Sequence, residues 1–549
     1  MRPERFDVIV VGSGAGGAPV AHTLATKGAQ VLLLEKGPWH LPDTWLHDEI
    51  SMCRRDRFVP WAQDDPRVFD RGDGPVRTNE GWISQCVGGG TVHMSGFFFR
   101  LHERDFLLAS SYTLPRNCTA TDWPIRYGDL APYYDRVERL VGVSGDTRAN
   151  PFEPPRTGPY PFAPVATHPV SNWIDEVGRA KGLHPYPVPR AIITQSREAR
   201  RACTYCSLCG SYGCETGAKS STLAALIPSA EKTGRLTIKS ESMAQRIVML
   251  KNGRARGIEY TDPRGALHLA EARVVVLAAS AIESARLLLL SACGRFPDGL
   301  GNGDGQVGKN LCFSSLGKLS CTLAYEGRTP SEVHMLEDHA PFVGRAIQDF
   351  YELDPTRDIF GKGGTFHFLW AHPNPIYAAE QLIHDAAGSL TYGASLVDRL
   401  IDRFTKGRRL EVECFSEWLP NKETFVTLDD RATDRFGLPA ARITIRRHPS
   451  DRAASERLVH EAQRLLEALR GTDIRIESIG GETLVLQHGT CRMGKDPATS
   501  VTNAKGRLHE VENVYVTCGG SLPSSASVPT TMTIMANAFR IADGIQSNV

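Results

Sequence analysis

Residues 6–37 read FDVIVVGSGAGGAPVAHTLATKGAQVLLLEKG, and the rest of the chain is best understood from them outward. Asp7 to Val11 is a short, continuous, β-branched run, the mark of a parallel strand buried on both faces. A glycine turn follows at once, with Gly12, Gly14, Ala15 and Gly17 in six residues. Gly12 allows the tight turn and Gly14 admits a pyrophosphate close to the backbone. Gly17 lets the next helix sit against the strand, its N–H groups toward the phosphates. A second strand, Val31 to Leu34, ends in Glu35. A carboxylate there accepts hydrogen bonds from both hydroxyls of an adenosine ribose, which favours FAD or NAD over NADP. The plainer reading is a glycine-rich turn without ligand, but the full strand–turn–helix–strand–acid order argues for a dinucleotide site.

The 549 residues are too many for one compact core, so two domains are expected. A hydrophobic content of 41% supports a full interior. The net charge of +1, with both signs interspersed, gives no reason for a nucleic-acid partner or an anionic membrane. No apolar run has the length of a transmembrane helix. The first residues enter the first strand directly, so the expectation is no signal peptide and a cytoplasmic location. In that setting the 13 cysteines are expected as reduced thiols or metal ligands before disulfides.

Residues 38–81 are irregular and rich in Trp, Asp and Arg, which suggests a lid or a subunit-contacting excursion. Residues 85–100, QCVGGGTVHMSGFFFR, bring a second glycine cluster. Gly88, Gly89 and Gly90 permit backbone to pass along a flat ligand, and Thr91 and His93 follow them. Residues 122–138, DWPIRYGDLAPYYDRVE, read as a turn and then a helix with Leu130, Tyr133, Tyr134 and Val137 on one face, aromatics for the core. The proline-rich residues 150–164 read as a linker or surface loop. In residues 201–222, RACTYCSLCGSYGCETGAKSST, Cys203, Cys206, Cys209 and Cys214 are dense enough to wrap one centre. An iron–sulfur cluster, a structural zinc site and free or paired thiols all stand as readings.

Leu236 to Leu277 read as a β-meander about an Asn252-Gly253 turn. Residues 274–294, VVVLAASAIESARLLLLSACG, repeat the order strand, small-residue turn, helix, with Ala278, Ala279 and Ser280 in the turn. Between Phe313 and Arg470, period-two alternation in Gly364 to Ala371, Leu410 to Asn421 and Thr424 to Asp429 suggests an antiparallel sheet with one wet face. A helix from about Ser450 to Leu469 leads back. The end carries QHGTCRMG (487–494), NVYVTCGGSLP (513–523, with Gly519) and PTTMTIMANAFRIADGI (529–545). The last reads as a helix with Pro529 at or near its first turn. Its N–H groups around Thr530, Thr531 and Met532 would favour negative charge on a bound ring.

Together these motifs resemble the glucose–methanol–choline (GMC) flavin oxidoreductases, in the gluconate and sugar dehydrogenase-like branch. The resemblance covers most of the chain and is strongest at both ends and at residues 122–138. It implies an α/β (α+β overall) architecture, discontinuous in sequence: a Rossmann-like FAD-binding domain from 1–120, 195–312 and 480–549, and an antiparallel-sheet substrate domain from 121–194 and 313–479. It implies FAD, contacted by Gly12, Gly14, Ala15, Gly17, Glu35, Gly88, Gly89, Thr91, His93, Ala278, Ala279, Gly519, Thr530, Thr531 and Met532. His93 matches the histidine that some relatives bond to the flavin, so it is the candidate for covalent attachment; the plainer reading is a buried or ring-stacking histidine.

The activity implied is oxidation of a hydroxyl group of an alcohol or sugar by hydride transfer to FAD. An oxygen-using oxidase and a flavin-retaining, non-catalytic subunit are the rivals. Membrane-linked sugar dehydrogenases of the family carry a three-iron cluster on a cysteine segment, which implies electrons leaving through Cys203, Cys206, Cys209 and Cys214. Here Cys206 is extra and Cys214 stands one residue further along. Relatives exported with a small signal-bearing subunit and paired with a cytochrome imply a periplasmic alternative and such partners. The family's base is the histidine of H-x-x-G-T, partnered by His or Asn just before the terminal helix. This chain has Leu486 and Pro529 there, with His488 directly against Gly489. His488 is the candidate base, its plainer reading a structural histidine. Cys518 stands where relatives place an acid.

Overall fold

The computed structural model describes residues 3–546 other than 46, 54–56, 82, 339–342, 355–359, 371, 373 and 385–387. Strand Glu4–Val11 lies inside a seven-stranded sheet, between Val31–Leu34 and Leu267–Leu277, both parallel to it. Its alternate side chains serve two cores. Val8 and Val10 pack with helices Ala18–Thr26 and Thr531–Ile545, while Ile9 and Val11 pack on the other face with Ile258 and Leu288. Burial on both faces explains the unbroken apolar run, each such side chain being worth about 1.5–3 kcal/mol. The short strand Val514–Val516 adds itself parallel to Leu267–Leu277, which brings the C-terminal motifs to the dinucleotide turn.

The expected meander is corrected at its start. Leu236–Lys239 pairs parallel with Val31–Leu34 at the far edge of this sheet, so only Met243–Met249, Ala255–Thr261 and Leu267–Leu277 form an antiparallel meander. The turn at Asn252-Gly253 is present, with Gly253 at φ +87°.

A six-stranded sheet runs in the order Thr472–His488, Cys312–Ala324, Gly407–Ser416, Gly364–Leu369, Val343–Ile347, Tyr186–Pro187, antiparallel throughout. Helix Pro449–Ala468 covers one face, where Leu458, Val459 and Leu466 meet Leu319, Phe366 and Val412. The residues between those, Leu316 and Lys318, Glu411, Glu413 and Phe415, point away from the helix. This is the one-sided sheet that the alternation suggests. Ala371, the end of one expected strand, lies outside the described residues.

Two expectations change. Thr424 to Asp429 is not in that sheet: Phe425–Thr433 pairs with Pro439–Thr444 in a separate four-stranded sheet. Its other two strands, Arg67–Asp70 and Pro75–Thr78, come from the supposed lid. Arg67 and Phe69 are 1% exposed, so this part of the excursion is core, not a mobile flap. The helix of residues 122–138 is Tyr127–Val137, with Tyr127 and Tyr134 buried as core aromatics. Among the described residues no helix is long and apolar enough to cross a membrane.

Candidate functional site

A cavity of about 650 Å³ runs from the glycine turn to the six-stranded sheet. At one end stand Gly12, Gly14, Ala15 and Glu35. Gly12 has φ +99°, and a Cβ on it would lie 2.5 Å from the Ala278 carbonyl oxygen, because the two strand–turn units cross there. Gly17 acts behind the wall: its Cβ would meet the Gly12 carbonyl at 1.8 Å, so only glycine lets the helix close on the strand. Glu35 is 7% exposed. One carboxylate oxygen accepts from the Ser13 amide (3.1 Å) and hydroxyl (2.6 Å), the other from the Gly37 amide (3.0 Å). Burial raises its pKa, against the pull of these donors.

Ser13 also receives the Gly88 amide on its hydroxyl oxygen at 2.9 Å, which couples the two glycine clusters. Gly88 and Gly89 do not themselves line the cavity; they lie against Gly14 from behind. Gly90, Thr91 and His93 do line it. Thr91 donates to the Gly88 carbonyl (2.6 Å) and accepts from the Thr222 amide (2.9 Å), fixing the loop. The His93 ring stacks on Phe58, centroids 5.5 Å apart at 28°.

Further along stand Ala278, Ala279, Gly519, Thr530 and Thr531. The final helix begins at Thr531 with Thr530 as its N-cap, so Pro529 stands immediately before the cap, next to the first turn. Met532 does not line the cavity with its side chain, which is fully buried in the aromatic core. The segment before this helix is held from below, an arrangement without a sequence signal. Glu417 accepts from the Ser525 amide (2.9 Å), the Ser525 hydroxyl (2.8 Å) and the Ala526 amide (3.0 Å). Its other oxygen meets the fully buried Lys362 ammonium at 2.5 Å, which in turn lies 2.8 Å from Asp105.

His488 lines the same end, on the strand that pairs with Cys312. Its Nε2 is 2.6 Å from the Thr530 hydroxyl oxygen. The residue is fully buried, and burial lowers its pKa to about 3, so the imidazole is neutral. Leu486 and Pro529 stand in the cavity wall nearby.

Several matches place this geometry among known proteins. Two models described as GMC oxidoreductase match residues 169–314 and 420–538, and an FAD binding domain matches residues 7–41. Paromamine 6'-oxidase of Streptomyces fradiae is 32% identical over 99% of this chain and 92% of its own. The chain belongs to the GMC oxidoreductase family. The 2-methyl-1,2-propanediol dehydrogenase of Mycolicibacterium austroafricanum is 33% identical over 99% of this chain and 95% of that one. The fructose dehydrogenase large subunit of Gluconobacter japonicus is 27% identical over 99% and 98%. A formate oxidase of Aspergillus oryzae shares the fold, with a TM-score of 0.68 at 15% identity over 100% of this chain and 99% of that one.

The residues fit the FAD of this GMC enzyme. Glycine at Gly12 and Gly14 leaves a backbone cradle, and the buried Glu35 carboxylate faces the cavity for the ribose. The N-terminus of a 15-residue helix stands at the other end. The Cys518 thiol donates to the Ser280 carbonyl at 3.2 Å and lies 3.3 Å from the Ser284 hydroxyl oxygen.

The cysteine segment does not fit a cluster. Among the described residues no group of three or more His, Cys, Asp or Glu is placed to hold a metal ion. Cys206 is exposed while Cys203, Cys209 and Cys214 are partly buried, and burial pushes the Cys203 thiol up to about 11. What gathers the loop instead is the buried Lys219, whose ammonium donates to the carbonyls of Cys209 (2.7 Å) and Tyr212 (2.6 Å). The segment still touches the site: Ser211 donates to the His93 carbonyl at 2.9 Å, and Gly210 and Ser211 line the cavity.

Proposed function

We propose that this GMC enzyme oxidises a hydroxyl group of an alcohol or sugar, taking the hydride on FAD. The reading rests on one observation above the rest: a single cavity joins the dinucleotide cradle, the His488–Thr530 pair and the open face of the six-stranded sheet. It is supported by relatives whose names state action on paromamine, a propanediol and fructose. Bound FAD would supply the hydride acceptor. The chain's own work is to orient the hydroxyl-bearing carbon and to take up the hydroxyl proton. His488 is the acceptor, neutral at all working pH values, and the Thr530 hydroxyl links it to the cavity. The helix N-terminus at Thr530 and Thr531 favours negative charge on the ring edge that faces it. His93 is the proposed point of covalent attachment. Electrons then pass to an external acceptor, dioxygen or a redox partner, without a cysteine-held cluster.

Anaerobic mixing of the holoenzyme with a panel of alcohols and sugars tests this. Loss of the oxidised-flavin absorbance with at least one of them is the expected result. Persistence of that absorbance with every member favours the non-catalytic flavin-retaining subunit. Reoxidation by air against reoxidation by an artificial dye then separates oxidase from dehydrogenase.

A further inference from the structure

The open face of the six-stranded sheet changes character along its length. Nearest the cofactor end it presents Leu316 and Phe415; beyond them it becomes charged, with Lys318, Arg409, Glu411 and Glu413 all lining the cavity and Leu369 opposite Glu411. Most of these charges are satisfied by one another. The Lys318 ammonium lies 3.1 Å from Glu411 and 3.3 Å from Glu477. Arg409 lies 3.4 Å from Glu477 and 3.8 Å from Asp473.

Glu413 is the exception. It pairs across the sheet with Lys318 on one side and His367 on the other. Lys318 is turned to the other two carboxylates, and His367 is a neutral ring stacked between Phe97 and Phe99. Among the described residues the Glu413 carboxylate has no hydrogen-bond donor and no ion-pair partner, and it stands partly buried in the cavity wall. Burial, opposed by Lys318 and reinforced by Glu411 and Glu477, pushes its pKa up to about 7. An unpaired carboxylate in such a place is costly, and a ligand that brings a cation removes the cost. Arg403, from the helix Ala394–Thr405 that roofs this part of the cavity, faces Arg409, Glu411 and Glu477 instead. The charges around Glu413 are thus one engaged ammonium and two carboxylates, a setting that favours a cation over an anion.

Position adds a second constraint. His488 pairs with Cys312, and Glu413 with Lys318, six residues along the same strand. At ~3.3 Å per residue the two registers are about 20 Å apart. Even with both side chains reaching inward, a ligand that spans them is larger than a simple alcohol.

We propose that Glu413 binds an ammonium group of the substrate, and that the substrate is an amine-bearing sugar of about two rings, oxidised at a hydroxyl remote from that amine. This rests on the hydroxyl-oxidising function proposed above and names its substrate class.

The test uses the oxidised, FAD-loaded enzyme, with the glucosamine disaccharide and its N,N′-diacetylated form as probes. They differ in charge while sharing the two-ring frame. Calorimetry on the wild type is expected to show the free amine bound about tenfold or more tighter than the acetylated form, a preference that Glu413→Gln abolishes. Flavin content and thermal midpoint of the variant report whether it has folded. Equal affinity of the wild type for both probes overturns the proposal, as does a Glu413→Gln variant that is folded and keeps the preference. A Glu413-dependent amine preference with no flavin reduction by any hydroxyl compound overturns the function and leaves the amine site standing. Reduction by neutral sugars without amine preference does the reverse.

Discussion

The Nε2 of His488 lies 2.6 Å from the hydroxyl oxygen of Thr530, joining the strand that carries the H-G-T motif to the N-cap of the terminal helix. Leu486 and Pro529 leave no imidazole or amide at those positions, and the His488–Thr530 pair fills the same end of the cavity from two residues and one residue further along the chain. His488→Ala is expected to slow anaerobic flavin reduction by about a hundredfold or more. Thr530→Val is expected to slow it too, and Thr530→Ser to restore most of it. Because burial lowers the His488 pKa to about 3, the rate is expected to show no acidic limb near pH 6.5, where an ordinary histidine would lose its base form. Stopped-flow reduction across pH checks both points, and a wild-type rate in His488→Ala would assign the proton elsewhere.

His367 gives a prediction about stability. It is fully buried with its ring stacked on Phe97 (4.3 Å) and Phe99 (5.0 Å), and burial lowers its pKa to about 3. The unfolded chain therefore takes up the proton first as pH falls. The stability this neutral histidine confers is complete above about pH 6.5 and is lost toward pH 3, at about 1.4 kcal/mol per unit. His367→Leu is expected to flatten the acid side of a plot of denaturant midpoint against pH, though not wholly, since His488 behaves alike. An unchanged slope between pH 6.5 and 4.5 would sink the idea.

What could be read beforehand was what is local. Gly12 to Glu35 spells out a turn whose every role is met within thirty residues, and the alternation of Arg409, Glu411 and Glu413 marks one face of one strand. Pairing between distant segments leaves no such trace. Nothing in Arg67 to Asp70 announces a parallel partner at Pro439–Thr444, and nothing in Glu417 shows that it holds the backbone ahead of the terminal helix.

His93 faces the cavity from a loop tied down by Thr91 and Ser211, so its ring is fixed in place. If it carries the flavin, acid precipitation of the wild type leaves yellow colour in the pellet, and His93→Ala moves it to the supernatant. All flavin in the wild-type supernatant would exclude the bond.

Gly519 is expected to tolerate no side chain. A Cβ there would lie 2.3 Å from the Gln487 carbonyl oxygen, on the strand that presents His488. Gly519→Ala must push that strand or the terminal helix aside, with a loss of about 1–3 kcal/mol and a slower reduction step. By contrast, Gly28→Ala meets nothing within 4 Å, and its φ of +97° lies far from the site. It is expected to cost stability through strain alone and to leave the reduction rate unaltered. Thermal midpoints with reduction rates on both variants separate the effects; equal rate losses would refute the account.

The cysteine loop gives the sharpest contrast between a side chain and its backbone. Lys219 is buried, and burial lowers its pKa against the opposing pull of Cys209, Cys214 and Cys206, while its ammonium donates to two loop carbonyls. Lys219→Met strands those carbonyls at about 1–3 kcal/mol for each buried group left unpaired. It also loosens Gly210 and Ser211, which line the cavity beside His93, so FAD content as purified is expected to fall. Cys206→Ser, at an exposed thiol, is expected to keep full FAD content and reduction rate. Iron and sulfide analysis of anaerobically purified protein is expected to find neither. Stoichiometric iron, lost in Cys206→Ser, would restore the cluster as the route by which electrons leave.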